Sequence, residues 1–324
     1  MSPELPQALR QAADRLLDGV GRKGLAERSR AISDQYRKGG GSAGVVTSAA
    51  DATAYVLTRL PATYAACAHA MEQARKVAPE FQPATLLDAG AGPGGASWAA
   101  TETWPEIASA TFLDSNPSFL EMAARLGADG PAALREAARL KADLAAPDAW
   151  PGADLVTASY ALAEIPEAKQ ATTVAALWAA TTGVLILVEP GTPAGFARLR
   201  ASRALLLSQG ATILAPCPHE AECPMAGEDW CHFVQRLPRS RDHRLAKGAE
   251  VPFEDEKFSY LAAARPGVAA RARGARVLAP PRAGKPGIDL KLCGPQGLEQ
   301  RFVGKRDKTA HQIARRLGWG DSFD

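Results

Sequence analysis

From residue 84 the chain alternates short apolar runs with amphipathic stretches, an order that confines it to α/β folds whose parallel strands are joined by crossover helices. Strands are expected at Thr85–Ala89, Ala110–Leu113, Leu155–Ser159 and Val184–Glu189, with helices near 95–102, 117–126, 131–140 and 167–180. A helix over 194–209 leads to another strand at Ala211–Ala215, and Phe258–Ala264 reads as a returning edge strand. Upstream, Leu5, Leu9, Ala13, Leu16, Leu17 and Val20 fall near helical spacing within 3–35, interrupted at Gly19, Gly21 and Gly24. A loop, Lys38-Gly-Gly-Gly-Ser-Ala-Gly44, precedes a second helical stretch over 48–78 with a kink or boundary at Pro61. Beyond Gly274 the signals shorten to β segments at 276–280, 288–293 and 302–305 and a final helix near 308–317.

Leu86-Leu-Asp-Ala-Gly-Ala-Gly-Pro-Gly-Gly95 puts glycines at the tip of the first strand, where missing side chains let backbone amides approach a ligand. Gly90, Gly92 and Gly95 meet the spacing of dinucleotide sites, with Gly94 in the same turn. Asp88 separates the alternatives, because a carboxylate two residues before Gly90 repels a pyrophosphate but suits the amino and sulfonium cations of S-adenosylmethionine. Asp114 closes the second strand and is expected to accept both ribose hydroxyls, and Asp143 falls where an acid meets the adenine amino group. These residues predict a Rossmann-like class I methyltransferase fold that binds S-adenosylmethionine through Asp88, Gly90, Gly92, Gly94, Asp114 and Asp143. Four divisions follow: N-terminal helices over 1–80, the cofactor domain over 81–215, a Cys-rich insertion with the returning strand over 216–265, and a basic β-rich module over 266–324.

Catalytic signals are weaker. After the fourth strand the chain reads Ser159-Tyr-Ala-Leu-Ala-Glu-Ile-Pro166, which does not match the Asn/Asp-Pro-Pro-Tyr stretch of nucleobase amino-methyltransferases. Pro216-Cys217 follows the sixth strand rather than the fourth, the wrong place for a cytosine-C5 nucleophile. Tyr160 and Glu164 are the catalytic candidates that remain, each equally readable as structural.

Cys217, Cys223 and Cys231 crowd into one loop after the sixth strand and Cys293 follows much later; Cys67, alone in the helical lead-in, reads as core. Thiolates are soft ligands for zinc or iron–sulfur clusters. The intervals of five and seven residues do not match zinc knuckles and suit a cubane at least as well, while His219, His232 and His243 keep a three-cysteine, one-histidine zinc site open. Trp230 is expected to pack over the cage.

Here the residues also resemble a known family. Val188-Glu-Pro-Gly-Thr-Pro-Ala-Gly-Phe196, Ala215-Pro-Cys-Pro-His-Glu220, Cys223-Pro224, Trp230-Cys-His-Phe-Val-Gln-Arg236 and Phe253-Glu-Asp-Glu-Lys-Phe-Ser-Tyr260 look like the Rsm-twenty-two family. These are the mitochondrial ribosomal small-subunit assembly proteins known in animals as methyltransferase-like seventeen, with bacterial relatives. The resemblance spans roughly residues 30–320 and ends in Gly318-Trp-Gly-Asp321. It implies a methyltransferase fold that associates with the small ribosomal subunit or its rRNA and carries a 4Fe-4S cluster, with Cys217, Cys223, Cys231 and Cys293 as ligands. In the mitochondrial members methyl transfer itself is in doubt, so the chain reads as an uncertain enzyme: an assembly factor, an active rRNA methyltransferase, or a redox- or iron-sensing RNA-binding protein.

The net charge is only +3, but Arg271 to Arg316 holds twelve basic residues against Asp289, Glu299 and Asp307, a surface that attracts phosphate. A denser run directly after the third cysteine makes Arg236, Arg239, Arg241, Arg244 and Lys247 the RNA-binding candidates, displayed on a loop that the metal would fix. Five cysteines without an apolar leader fit a reducing compartment. Glu4, Asp14 and Glu27 argue against a transit peptide, and no run is long and apolar enough to span a bilayer. The expectation is a monomeric bacterial cytoplasmic protein with no membrane contact.

Overall fold

The computed structural model describes residues 4–18, 20–37 and 41–323; Gly19 and residues 38–40 of the expected glycine loop lie outside them. The lead-in forms α1 (Gln7–Arg15), α2 (Arg22–Arg37), a 3₁₀ turn at Ser42–Gly44, α3 (Ala49–Thr58) and α4 (Leu60–Val77). Pro61 occupies the first turn of α4, where its missing N–H costs nothing, so it starts a helix instead of kinking one. Then follow β1 (Thr85–Ala89), α5 (Gly95–Thr103), β2 (Ser109–Asp114), α6 (Pro117–Gly127), α7 (Ala132–Arg135), β3 (Ala138–Lys141), β4 (Ala153–Ser159), α8 (Glu167–Ala180), β5 (Thr181–Pro190), α9 (Pro193–Ser208) and β6 (Thr212–Ala215). After the cysteine loop come β7 (Phe233–Pro238), α10 (Arg241–Lys247) and β8 (Phe253–Ala264).

The main sheet runs β3-β2-β1-β4-β5-β8-β6, with β7 also paired to β8. β1 to β5 are parallel, and β8 is antiparallel to both β5 and β6. Helices cover both faces, which is why β5 is one unbroken apolar run. Its Val184, Ile186 and Val188 join the core beneath α1–α6, while Leu185 and Leu187 join the core beneath α8 and α9. Ala66, Ala70 and Ala74 of α4 and Ala96, Ala99 and Ala100 of α5 are all buried. With no bulk beyond a methyl group, they let the two helices sit against each other. Thr192 and Ser240 cap α9 and α10 by accepting the N–H of Gly195 and of His243, each at 3.1 Å.

Two expectations need correcting. The helix expected over 131–140 is only the four residues of α7; the third strand, β3, follows it, exposed at all four positions, so no apolar alternation marks it. And β8 is not an edge strand. It lies between β5 and β6, its residues 258–264 paired to β5 on one side, while the other side takes β7 along Phe253–Phe258 and β6 along Ala262–Ala264. The cysteine loop therefore bulges out between two strands that share one flank of β8.

A second sheet contains β9 (Ala275–Val277), β10 (Arg282–Ala283), β11 (Gly287–Gly294), β12 (Gly297–Gly304) and β13 (Ser322–Phe323), followed in chain order after β12 by α11 (Lys308–Ala314). Val277, Ile288, Leu290, Leu292, Val303, Ala314 and Phe323 give it its own small core. Among the described residues no helix is long and apolar enough to cross a membrane.

Candidate functional sites: a cavity at the strand ends and a cysteine cavity

A cavity of about 340 Å³ opens beyond the carboxyl ends of β1, β2 and β4, where open α/β sheets bind ligands. Gly90, Gly92, Asp114, Asp143, Tyr160 and Glu164 all line it. Gly90 has φ +72°, and a Cβ there would stand 2.7 Å from the Cβ of Ala161. Gly92, at φ +52°, faces open space. Asp114 accepts the N–H of Gly92 and of Asn116, each at 2.8 Å. Burial raises its carboxyl above the usual range, against the pull of those two N–H groups. Asp143 is exposed and accepts the Ala145 N–H at 2.9 Å.

Two of the cofactor candidates sit off the cavity wall. Asp88 is fully buried and accepts the Ser97 N–H at 3.1 Å and hydroxyl at 2.6 Å, anchoring the first turn of α5, while its Oδ1 has no partner among the described residues. Burial pushes it up to about 7. A carboxyl group at the N-terminus of a helix is held by the helix as well as by its hydrogen bonds, so Asp88 shapes the loop from behind the cavity wall. Gly94, at φ +86°, is the left-handed cap of α5.

Tyr160 adopts φ +58°, the one non-glycine residue with positive φ among those described, a strain that persists where structure over-determines it. Its hydroxyl donates to Glu256 of β8 at 2.8 Å. Burial, then the Glu256 charge, holds that phenol well above its ordinary value, so it is a fixed donor and not a base. Glu164 accepts both the N–H and the hydroxyl of Ser42 at 2.9 Å, closing the 3₁₀ turn over the cavity. Ser42 carries no motif in the sequence, and Glu256, though inside the Phe253–Tyr260 motif, gives no sign there of its bond to Tyr160; only the fold brings them together.

Cys217, Cys223, Cys231 and Cys293 line a second cavity, of about 50 Å³, together with His219, Arg203 and Arg276. Cys217 leaves β6, Cys231 precedes β7 and Cys293 arrives from β11 of the second sheet. Burial pushes the Cys293 thiol up to about 12 and raises Cys217 and Cys231 as well. Among the described residues no three His, Cys, Asp or Glu side chains come close enough to share one metal ion. The donor set is four soft thiols spread around one space, whereas a single zinc needs its sulfurs within about 2.3 Å of one point. Of the candidate histidines only His219 adjoins them, its Nε2 3.6 Å from Cys293 Sγ. His232 stacks on Trp230 and His243 faces Glu254. Trp230 does not line the cavity; its indole N–H donates to Gly191 O at 3.1 Å. Cys67 is fully buried in the main core.

The expected basic loop is a strand and a helix. Arg239 and Lys247 are turned inward, only 14% and 15% exposed, and share Glu254 with His243. Arg236 forms a paired contact with Asp255 at 2.7 and 2.8 Å. Arg241 is exposed on α10 and Arg244 half-buried. Two consecutive acids of β8, Glu254 and Asp255, answer this run, a pairing invisible until β7 and β8 are seen side by side. Arg239 and Lys247 thus hold α10 to the sheet, and a free display of all five cations is corrected to a display of Arg241 with the rim of Arg236 and Arg244.

A family model described as mitochondrial small ribosomal subunit Rsm22 matches residues 49–324. The human ribosome assembly protein METTL17, mitochondrial, is 28% identical over 296 residues, covering 82% of this chain and 61% of that protein. Rsm22-cox11 tandem protein 2, mitochondrial, of Schizosaccharomyces pombe is 24% identical over 292 residues, 74% of this chain and 38% of its own. The chain thus spans less than two thirds of each of these relatives. Among solved structures, the magnesium protoporphyrin IX methyltransferase of Synechocystis aligns with a TM-score of 0.42 at 15% identity, over 74% of this chain and all but 1% of that one. A precorrin-6y C5,15-methyltransferase of Geobacter metallireducens aligns at 0.40 and 16%, over 61% and 85%.

Mitochondrial relatives and a mitochondrial family description overturn the expectation of a bacterial cytoplasm. The physical reason lies in the N-terminal charges. Glu4, Asp14 and Glu27 accompany α1 and α2, whose Leu9, Leu25 and Ile32 are buried. The mixed charge there describes the polar face of folded helices and says nothing about targeting.

Proposed function

The chain belongs to the Rsm22 family of the mitochondrial small ribosomal subunit, and on that premise we propose that it is an assembly factor acting on that subunit through its rRNA. It binds S-adenosylmethionine in the cavity at the strand ends, with the Gly90 and Gly92 backbone beside the ligand, Asp114 on the ribose hydroxyls and Asp143 near the adenine. Cys217, Cys223, Cys231 and Cys293 hold an iron–sulfur cluster. When bound, such a cluster supplies a rigid four-point crosslink and a one-electron couple.

One observation carries the reading. Four cysteines from a loop and from a separate sheet, 62 residues apart at the widest step between Cys231 and Cys293, line one cavity at the flank of a methyltransferase-type sheet. Full-length protein purified without oxygen tests it: iron and sulfide at cluster stoichiometry with broad absorbance near about 400 nm are expected, and colourless protein with stoichiometric zinc rejects the cluster. Calorimetry with S-adenosylmethionine tests the other cavity.

A second reading, an active rRNA methyltransferase, is favoured by the strained Tyr160 at the tip of β4, since such strain collects at active sites. Methyl transfer to small-subunit rRNA that is lost in Tyr160→Phe supports it; no turnover with bound cofactor rejects it.

A further inference from the structure

Two of the three arginines that line the cysteine cavity are fully enclosed, and among the described residues no acid pairs with them. Arg203 of α9 and Arg276 of β9 line the cavity and are only 5% and 3% exposed. A guanidinium keeps its charge under all ordinary conditions, and burying one without a counter-anion costs several kcal/mol. Other arginines nearby are answered. Arg198 meets Glu189 at 2.6 Å, and at the rim of the cysteine loop Arg273 meets Glu220 and Arg200 meets Glu222, at 3.2 and 3.7 Å.

Arg203 and Arg276 have only neutral acceptors among the described residues. One Arg203 nitrogen donates to the carbonyls of His219 and Ala221 at 2.8 and 2.9 Å, and its Nε, buried, has no partner. Arg276 donates to Pro216 O at 3.0 Å and to Gln73 Oε1 and Gly320 O, each at 2.6 Å. Carbonyls and a side-chain amide orient a guanidinium but do not neutralise it. The cavity is therefore short of about two negative charges.

We propose that Arg203 and Arg276 are the counter-cations of a thiolate-ligated cluster bearing about two negative charges, and that they set its reduction potential. This rests on the cluster reading above. Two iron(II), two iron(III), four sulfides and four thiolates sum to that charge. Reduction adds one electron from an external reductant, raises the charge to about three negative, and breaks no bond. Fixed cations beside the group favour the more negative state, so they hold the potential up. Net charge is one of the protein's levers on such potentials. Arg203, with its Nε unspent, is the purer electrostatic member, because Arg276 also ties β9 to α4 and to the cysteine loop.

The test is a dithionite titration, followed by visible absorbance and electron paramagnetic resonance, of anaerobically purified full-length protein and of its Arg203→Met, Arg203→Lys and Arg276→Met variants. With iron retained, each Met variant is expected to move the oxidised-to-reduced ratio at a fixed potential at least tenfold toward oxidised, about 59 mV for a one-electron couple, and Arg203→Lys to restore most of it. An unchanged midpoint at wild-type iron content overturns the proposal while leaving the cluster reading intact. Iron kept by Arg203→Lys but lost by Arg203→Met supports it. Loss in both shows a geometric role and overturns it. Wild-type protein without iron removes the cluster reading itself, and the inference with it.

Discussion

Replacing Glu254 by Gln keeps the shape of the side chain and withdraws the charge that Arg239 and Lys247 share. The carboxylate accepts from Lys247 Nζ at 2.5 Å and sits 3.4 Å from Arg239 Nε and 3.2 Å from His243 Nε2, and it is 14% exposed. Burial alone raises it; hydrogen bonds from His243 and Lys247 and the Lys247 charge more than reverse that, bringing it from 4.5 down to about 2. Such a drop is worth about 3 kcal/mol at neutral pH, or about 2 kcal/mol after screening by the water that still reaches the site. Because the folded-state value lies below the unfolded one, this stability is complete above about pH 4.5 and disappears as pH falls toward 2. Urea unfolding of Glu254→Gln against wild type from pH 7 to pH 2.5 should show a gap of about 2 kcal/mol that closes on acidification. Equal stabilities at pH 7, or a gap that persists unchanged at pH 2.5, refute the assignment of Arg239 and Lys247 as tethers of α10.

Gly90→Ala places a methyl group 2.7 Å from Ala161 Cβ at φ +72°, so calorimetry should show at least a tenfold loss of S-adenosylmethionine affinity while the folded protein persists. Asp88, raised from 3.8 to about 7 by burial, binds a proton more tightly folded than unfolded. Its contribution, on the order of 4 kcal/mol, is present below about pH 4 and lost as pH rises to 7, so the Asp88→Asn variant should lack that slope in denaturant titrations. Cys231→Ser should lose iron when purified without oxygen, whereas Cys67→Ser, off the cavity, should keep it. In RNA binding, Arg241→Ala should lower the slope of log affinity against log salt by roughly one phosphate contact; Lys247→Ala should lower the unfolding midpoint instead.

The strands that follow the buried-run rule were readable: β1 appears over Thr85–Ala89 as expected, and β4, β5 and β6 within a few residues, because apolar runs between turn signals have one economical use in a sheet covered on both faces. β3 was not, since an exposed four-residue edge carries no alternation. The partners of the basic run were hidden for another reason. Arg236 and Arg239 meet Asp255 and Glu254 only through the β7–β8 register, and no local pattern encodes register between strands separated by a helix. In the cavity at the strand ends the same split recurs. Gly90, Gly92 and Asp114 announce themselves by spacing, but Asp88 is drawn inward by Ser97, nine residues on, and leaves the cavity wall. Arg203 and Arg276 escaped because a buried charge is recognisable only when its missing partner can be looked for.

The placement of β8 explains how one sheet can serve two sites. Along Phe253–Phe258 it bonds to β7, and from Phe258 onward it is bracketed by β5, with β6 joining at its end, so its first half projects past the carboxyl ends of the parallel strands. From that projection Glu256 reaches the hydroxyl of Tyr160, which lines the cavity at the strand ends. Three residues on, Ser259 donates to Cys231 O at 2.8 Å and lines the cysteine cavity. One strand thus both holds the Tyr160 hydroxyl and lines the cysteine cavity. An occupant of the cysteine cavity would therefore brace the strand that positions Tyr160, and would do so through Arg276, whose hydrogen bonds join α4, the cysteine loop and the chain end at Gly320. Emptying that cavity leaves two unanswered cations at this junction, so the second sheet should loosen first and the Tyr160 wall after it, while β1 and β2, which share no bond with β8, should hold.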